Sequence, residues 1–583
     1  MEPNEKLHNL RHSLAHLLAA AVLEMYPDTK NTIGPSIEDG FYYDFEFASP
    51  ISDKDLPKIE KKMRELLKSW KEFTHEEKTE AEAKEYLKNN EYKIELIDEI
   101  LGKGEKITFY TCGKFIDLCR GGHLENPAKE ISADSFKLDR VAGAYWRGDE
   151  KNKMLTRIYG LAFETKAELE KYITEREEAK KRDHKKLGKE LDLFFIDEEV
   201  GKGLPLWTPR GTAVKFELEK FTRDLEKKYG YEHVETPYLG SEKLYQTSGH
   251  LSHYKQNMYA PIDMDGDVLY LRPMACPHHI KMLKRKPVSY RDLPVRYAEI
   301  ADYNRYEKSG ELMGMIRVRK FQLTDGHLFV TPAQLKEEFK DTCRMIQEGM
   351  RGLGLLEIIS YRFSKRDPKN KEKYYADDEL WTKAEEMMKE ALDELGLSYV
   401  EAEDEAAFYG PKLDVQGKNV NGKEDTLFTA QIDFLLPEKF DIEYTSEDGT
   451  KKRPVMIHRS SIGCLERTFA FLIERYAGAF PVWLSPVQVD IVPVRENHTE
   501  KAKEVAETLR KENIRVEVLD SDESLGKRIH TAKGMKTPFV IVLGDKEVSS
   551  GSLTIENRDG TKTENISSEE FLKNLLKLIA EKK

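Results

Sequence analysis

The residue pattern predicts a chain of several domains: α+β at the start, α+β around an antiparallel sheet in the middle, and layered α/β at the end. Three observations carry this. Residues 8–25 put His12, His16, Leu17, Ala20 and Leu23 at helical spacing, and an alternating, strand-like run over 41–45 follows a glycine turn. Between Leu193 and Leu484, long helical stretches (213–229, 378–395) mix with runs such as Val268–Arg272 and Val295–Ile300, without an evenly repeated β-α unit. After Pro486 the texture becomes strand 487–494, helix 498–512, strand 515–519, helix 524–534 and strand 539–543, which predicts a layered domain with a mainly parallel sheet.

Taken in order, strand-like runs recur from residue 33 to about Trp146, so a first domain is expected over 1–150. Residues 164–190 are charged, with opposite signs often three or four apart, and end in Lys180-Lys-Arg-Asp-His-Lys-Lys186; a helical linker is expected over 151–192. The central domain is assigned to 193–485 and the last to 486–583. A length of 583 residues agrees with three to five domains at roughly 100–200 residues each. Lys plus Arg number 94 against 106 Asp plus Glu, a net charge of −12, so nucleic acid must be met by local patches rather than by an overall basic field. The longest apolar stretches fall far short of the ~20 residues a bilayer span needs, and the first residues lack a basic start and apolar core. A globular, cytoplasmic protein without membrane contact is expected. Its five cysteines suit ligands, thiols or core positions better than a disulfide framework.

Neither a Gly-x-x-x-x-Gly-Lys-Ser/Thr loop nor a Gly-x-Gly-x-x-Gly helix start is present, so any nucleotide must be held by arginines. Residues 305–321 offer that. Read as a hairpin, alternation puts Arg305 with Glu307 on one side, and Arg317, Arg319 and Phe321 together around the turn Glu307-Lys-Ser-Gly310. Guanidiniums fork onto phosphate oxygens and a ring stacks on a purine. An ordinary charged hairpin is an equally good reading of the spacing alone.

The same residues carry a resemblance. Arg305-Tyr-Glu-Lys-Ser-Gly with Arg317-Val-Arg-Lys-Phe321, and Gly463-Cys-Leu-Glu-Arg467, resemble motifs 2 and 3 of class II aminoacyl-tRNA synthetases. Met274-Ala-Cys-Pro-His, Thr324-Asp-Gly-His327, Phe408-Tyr-Gly-Pro-Lys412 and Val455-Met-Ile-His458-Arg resemble the threonyl-tRNA synthetases, in that order, and so does the linker Arg182-Asp-His-Lys-Lys-Leu-Gly before them. The likeness runs from residue 7 to the end. It implies a class II antiparallel-sheet catalytic core, an N-terminal α+β editing domain and a C-terminal α/β anticodon-binding domain.

It also implies an activity: ATP-dependent formation of threonyl-adenylate, transfer to the 3′ end of tRNA(Thr), and hydrolysis of mischarged Ser-tRNA(Thr). Arg305, Lys412 and Arg467 would be catalytic. Arg305 and Arg317 would hold the ATP phosphates, with Mg2+, while Glu307 reads the adenine amino group between Phe321 and Arg467. Cys276, His327 and His458 would bind one Zn2+; taken blind, each is more often a core or surface residue. One thiolate and two imidazoles leave an open coordination position. Asp325 would accept the threonine hydroxyl, with Tyr409 and Gln431 lining the pocket. Valine would leave the hydroxyl's contacts unmade, but serine lacks only a methyl, worth ~1–3 kcal/mol, so a second, hydrolytic site is needed. His12, His16, Asp117, Cys119 and His123 resemble that editing site, expected to be largely metal-free. In the last domain, Gly544-Asp-Lys-Glu-Val548 would face the anticodon, with Glu547 as the candidate contact. A homodimer is implied, its surface near Glu235-Thr-Pro237-Tyr-Leu.

The chain departs from the family in several places. It starts almost on the editing domain, without the N-terminal β-grasp module common in bacterial members. Met-Ala-Cys-Pro-His stands for Met-Asn-Cys-Pro-Gly, and Leu323-Thr-Asp-Gly-His for Gln-Asp-Asp-Ala-His. Gln322 sits beside the displaced glutamine but is expected to face the other way along a strand. Glu556 stands where a basic anticodon contact is common, with Arg558 two residues on. A non-catalytic RNA-binding paralogue and a synthetase for proline or serine are the competing readings. The complete arginine and zinc sets count against the first, and the zinc triad and editing domain against the second.

Overall fold

A computed structural model describes residues 3–519 and 522–583. Its residues divide into two compact units, Met1–Glu178 and Ala179–Lys583.

In the first unit, helix Pro3–Met25 lays Leu10, Leu14, Leu17, Leu18 and Val22 into a core shared with Phe41, Tyr43 and Phe45. The sheet beneath runs Lys30–Asn31, Gly40–Glu46, Met154–Ala162, Phe136–Tyr145, with Ser36–Ile37 paired to the second strand. Strand Met154–Ala162 corrects the expected linker boundary: it pairs with Gly40–Glu46 and Phe136–Tyr145 inside this sheet. Its buried Leu155, Ile158, Leu161 and Ala162 supply apolar side chains that a solvated linker would not. Helix begins only at Lys166. A smaller sheet, Thr74–Glu77, Thr108–Cys112 and Phe115–Leu118, delivers the segment 119–123.

The second unit is built on an eight-stranded sheet. Its order is Glu232–His233, Val295–Asn304, Lys320–Val330, Val455–Cys464, Glu424–Asp433, Lys412–Lys418, Ile359–Ser364, Tyr399–Ala402, antiparallel except at the two edge pairs. Central position explains the composition of Val455–Cys464, whose residues are buried along almost its whole length. Helix Pro209–Lys228 starts where the Thr208 hydroxyl accepts the Gly211 N–H and Pro209 occupies the first turn.

The register matters most. His327 is opposite His458, His458 is opposite Gln431, and Gln431 is opposite Lys412, so four residues distant in sequence form one row across the sheet. Beside that row the pairing slips between Leu323 and Asp325, a bulge with Gly463 at φ +90°. The Thr324 hydroxyl stitches the bulge, accepting the Ile462 N–H at 3.1 Å and donating to the Gly463 carbonyl at 3.0 Å.

The C-terminal sheet, Val516–Val518, Val489–Pro493, Phe539–Leu543, Ser552–Asn557, Lys562–Ser567, is parallel in its first three strands and antiparallel in its last two. It is therefore mixed rather than mainly parallel. Among the described residues no helix is long and apolar enough to cross a membrane.

Candidate active site

A cavity of about 400 Å³ opens on the face of the large sheet. Its wall includes Arg305, Glu307, Arg317, Phe321 and Arg467 at one end, and Cys276, Asp325, His327, Tyr409, Gln431 and His458 at the other. At the arginine end, the Arg305 guanidinium lies 5.1 Å from the Phe321 ring centroid. Arg467 is anchored by donating to the Ile316 carbonyl at 2.9 Å and to the Thr426 carbonyl, and burial lowers its pKa. Arg317 donates through Nε and Nη2 to Oε2 of Glu307, leaving Oε1 for another partner.

One expectation fails here. Strand structure ends at Asn304 and resumes at Lys320, so residues 305–319 form a loop in which alternation does not hold. Arg319 accordingly turns from the cavity and donates to the Glu307 carbonyl at 2.9 Å. Lys412, expected to be catalytic, stands opposite Gln431 at the end of the row, and its Nζ is 3.1 Å from the fully buried Asp414, which Arg362 also meets at 3.0 Å.

At the other end, donor atoms of Cys276, His327 and His458 lie within 4.8 Å of one another. Helix Cys276–Lys284 begins at the cysteine, with Pro277 in its first turn. The two histidines come from the facing strands. Burial first, then the carboxylates Asp325 and Asp433, hold the Cys276 thiol well above its usual pKa. A thiolate here needs a cation beside it. The His458 ring donates Nε2–H to Asp433 at 2.8 Å, and Asp433 is itself held by the N–H groups of Leu435 and Leu436, leaving Nδ1 of His458 for a metal. One thiol, two oriented imidazoles and an adjoining cavity fit a zinc ion with an open position.

Around this triad, Tyr409 donates to the Gln431 side-chain oxygen, whose amide donates to Thr429 at 2.7 Å. Gly410 permits this packing, since a Cβ there would stand 1.9 Å from the Ile432 carbonyl oxygen. Asp325 receives the Gly326 N–H at 3.0 Å and the hydroxyl of Tyr303, a buried residue that sequence reasoning missed. Its only signal was a tyrosine two positions before Arg305. Leu323 lines the cavity and Gln322 does not, as the strand alternation predicts. His278, in place of the family's glycine, points to the Leu239 carbonyl at 3.1 Å.

The N-terminal unit carries a separate cluster. His12, His16, Cys119 and His123 offer donor atoms within 4.8 Å of one another. Cys119 Sγ is 3.6 Å from His12 Nε2 and 3.3 Å from His123 Nε2, and His123 stacks on Phe73. Burial lowers the pKa of His12 and takes His123 down to about 2, where the neighbouring His16 and His12 also repel a proton; the thiol of Cys119 is pushed up to about 11 by burial. The histidines are therefore neutral at pH 7. Beneath them, Asp117 is 3.8 Å from His16 and takes Lys93 Nζ at 2.5 Å and the Tyr43 hydroxyl at 2.5 Å. Lys93 and Tyr43 were missed. Lys93 had a signal, since it falls on the buried face of helix Glu91–Gly102 with Tyr92 and Ile97.

In the last domain Glu547 is oriented from within: Oε2 accepts the Gly544 N–H at 3.0 Å and Oε1 the Thr554 hydroxyl at 2.8 Å. The first bond caps helix Asp545–Ser550, and the second ties the side chain to strand Ser552–Asn557. Arg558 is likewise occupied, donating to the Phe480 carbonyl at 2.8 Å.

Comparison with known proteins follows the same division. The tRNA synthetase class II core domain family (G, H, P, S and T) matches residues 255–476, the anticodon binding domain 488–578, and the threonyl and alanyl tRNA synthetase second additional domain 107–159. The chain is 49% identical over 571 residues to the threonine–tRNA ligase of Geobacillus sp. strain WCH70, covering 97% of this chain and 88% of that one. It is 49% identical over 582 residues to threonine–tRNA ligase 1 of Bacillus subtilis strain 168, covering 99% and 89%. Among solved structures, the RNA binding domain of threonyl-tRNA synthetase from Cryptosporidium parvum aligns with a TM-score of 0.64 at 32% identity, covering 68% of this chain and 98% of that chain. With near-complete coverage at such identity, and with core, anticodon and additional domains in the same order, the chain belongs to the threonyl-tRNA synthetases.

Proposed function

We propose that the protein activates L-threonine with ATP, transfers it to tRNA(Thr), and hydrolyses mischarged Ser-tRNA(Thr) at the N-terminal cluster. The observation that carries the first part is one cavity holding a guanidinium-lined end beside the Cys276–His327–His458 triad. Arg305 and Arg317 receive the phosphates of ATP with its Mg2+; Phe321 and Arg467 enclose the adenine, whose amino group meets Oε1 of Glu307. The threonine carboxylate attacks the α-phosphate, pyrophosphate leaves, and threonyl-adenylate remains. Such chemistry asks the protein mainly for positioning and for charge neutralisation, which these arginines provide. The terminal ribose hydroxyl of the tRNA then attacks the threonyl carbonyl and AMP departs.

Zinc held by Cys276, His327 and His458 supplies a Lewis-acidic contact for the substrate's amino and hydroxyl groups. Asp325 accepts the hydroxyl proton of threonine, and Tyr409 with Gln431 closes the pocket. Valine lacks that hydroxyl and leaves Asp325 without its partner, whereas serine keeps it. Because serine is admitted, its ester must be removed at the N-terminal cluster: water attacks the seryl carbonyl, the bond to the tRNA ribose oxygen breaks, and the neutral imidazoles of the cluster pass the water's proton to that departing oxygen, releasing serine and the free tRNA end. A homodimer, with its surface near Glu235–Leu239, belongs to the same reading. Cytoplasmic placement fits an enzyme of translation.

Amino-acid-dependent pyrophosphate exchange with threonine, serine, valine and proline, run alongside zinc analysis, tests the reading. Strong exchange with threonine, weak with serine and almost none with valine, at one zinc per chain, is the expected result. Absence of exchange in folded, zinc-loaded protein would overturn it.

A further inference from the structure

The His327 imidazole does not meet a carboxylate through its Nδ1. That nitrogen lies 2.7 Å from Nδ1 of His279, and His279 Nε2 lies 3.0 Å from Oε2 of Glu299. All three are buried, His279 completely. Glu299 is held from behind: Arg272 Nη1 and Nη2 each donate to Oε1 at 3.2 Å, and Thr236 gives its N–H to Oε1 at 3.2 Å and its hydroxyl to Oε2 at 2.7 Å. We propose that His279 and Glu299 are positioning residues that set the tautomer of His327, directing a bare Nε2 into the metal site. This rests on the reading of Cys276, His327 and His458 as a zinc site.

Proton counting along the chain of three side chains fixes the order. A carboxylate held by a guanidinium only accepts, so His279 must donate Nε2–H to it. A neutral imidazole with its proton on Nε2 has a bare Nδ1. The contact between the two Nδ1 atoms needs one proton, which must then sit on His327, and the remaining nitrogen of His327 is the lone-pair donor a metal requires. His458 reaches the same result in one step through Asp433. The two ligand histidines thus have separate carboxylate supports, one direct and one relayed through a second ring. Neighbours of metal ligands that fix orientation in this way typically change metal affinity 10–100-fold when removed.

Glu299→Gln probes the direction of the relay. Arg272 claims the amide oxygen, the amide N–H2 turns to His279, and the proton order reverses until an N–H of His327 points into the site. His279→Phe keeps the ring's volume and removes both nitrogens. Full-length protein stripped of zinc would be titrated with zinc against a chelator of known affinity, with the cobalt(II) spectrum as a second readout of ligand geometry. ATP binding and thermal unfolding of the metal-free protein identify variants that remain folded. The expected result is a 10–100-fold loss of zinc affinity and altered cobalt bands in the folded variants, with ATP binding unchanged; if His279→Phe does not fold, Glu299→Gln alone decides. Wild-type affinity and spectrum in a folded variant would overturn the relay alone. Failure of the unaltered protein to bind zinc, or full binding by Cys276→Ala, would overturn the zinc reading and the relay with it.

Discussion

The hydroxyl of Tyr303 donates to the carboxylate of Asp325 while accepting the N–H of Ala275 at 2.8 Å, the residue immediately before Cys276. One buried phenol therefore ties the group read as the threonine acceptor to the turn that presents the thiol. Tyr303→Phe keeps the ring and removes both bonds. Hydrogen bonds to charged groups contribute about 1.5–3 kcal/mol, so kcat/KM for threonine in pyrophosphate exchange is expected to fall about tenfold or more. Most of the change should be in KM, with zinc content unaltered.

Removal of the metal has a different signature. Cys276→Ala, or chelation of the native protein, is expected to abolish threonine activation while ATP still binds, because the arginine end of the cavity does not depend on the thiol. Calorimetric ATP titration beside pyrophosphate exchange checks this. Equal loss of both would show that the triad supports the whole site.

The N-terminal cluster should separate editing from charging. His123→Ala is expected to slow deacylation of Ser-tRNA(Thr) by about 10²-fold or more, the usual weight of a positioned proton-transfer group, and Cys119→Ala, which removes the thiol touching His12 and His123, to slow it as well, with threonylation unchanged. Lys93→Met should do the same and also lower stability, since it removes the cation beside buried Asp117, a loss worth about 3–5 kcal/mol when a buried pair is broken. Isolated mischarged tRNA and thermal unfolding of the variants supply the two measurements.

A pH effect on stability is expected from the last domain. Asp490 lies buried on strand Val489–Pro493, and burial, reinforced by Glu517, raises its pKa from 3.8 to about 6. The folded state therefore holds this proton to higher pH than the unfolded chain. Its stabilising contribution is present below about pH 4 and is lost as pH rises to about 6, a loss of about 3 kcal/mol by neutrality. Asp490→Asn should gain stability relative to the native protein over that window and show a constant difference above it, read by unfolding of the C-terminal domain at a series of pH values.

Much of this organisation was legible in the residues. Periodicity gave the long helices at 209–228 and 378–394 to within a few positions, and the β-α-β-α-β opening of the last domain. The motif around 305–321 gave the arginines and Phe321 but misplaced Arg319, because alternation holds only while the backbone is extended, and extension stops at Asn304. The strand at 154–162 was hidden for a related reason, lying among charged residues just before a charged helix. Tyr303, Lys93 and Tyr43 belong to no motif. Their significance is burial beside a carboxylate, which one sequence does not display.

Local chemistry, then, is what the sequence by itself determined: which side chains offer thiol, imidazole or guanidinium, where helices start and stop, and that no basic field or membrane span organises the chain. Such properties depend on near neighbours along the backbone. Folding in three dimensions fixed that His327, His458 and Gln431 share one row of the sheet, that Lys412 meets Asp414 and Glu547 meets Gly544, and that Glu299 stands behind His279. Strand register and burial arise from contacts between segments far apart in the chain, and the direction of a shared proton follows from which acceptor the fold places at its end.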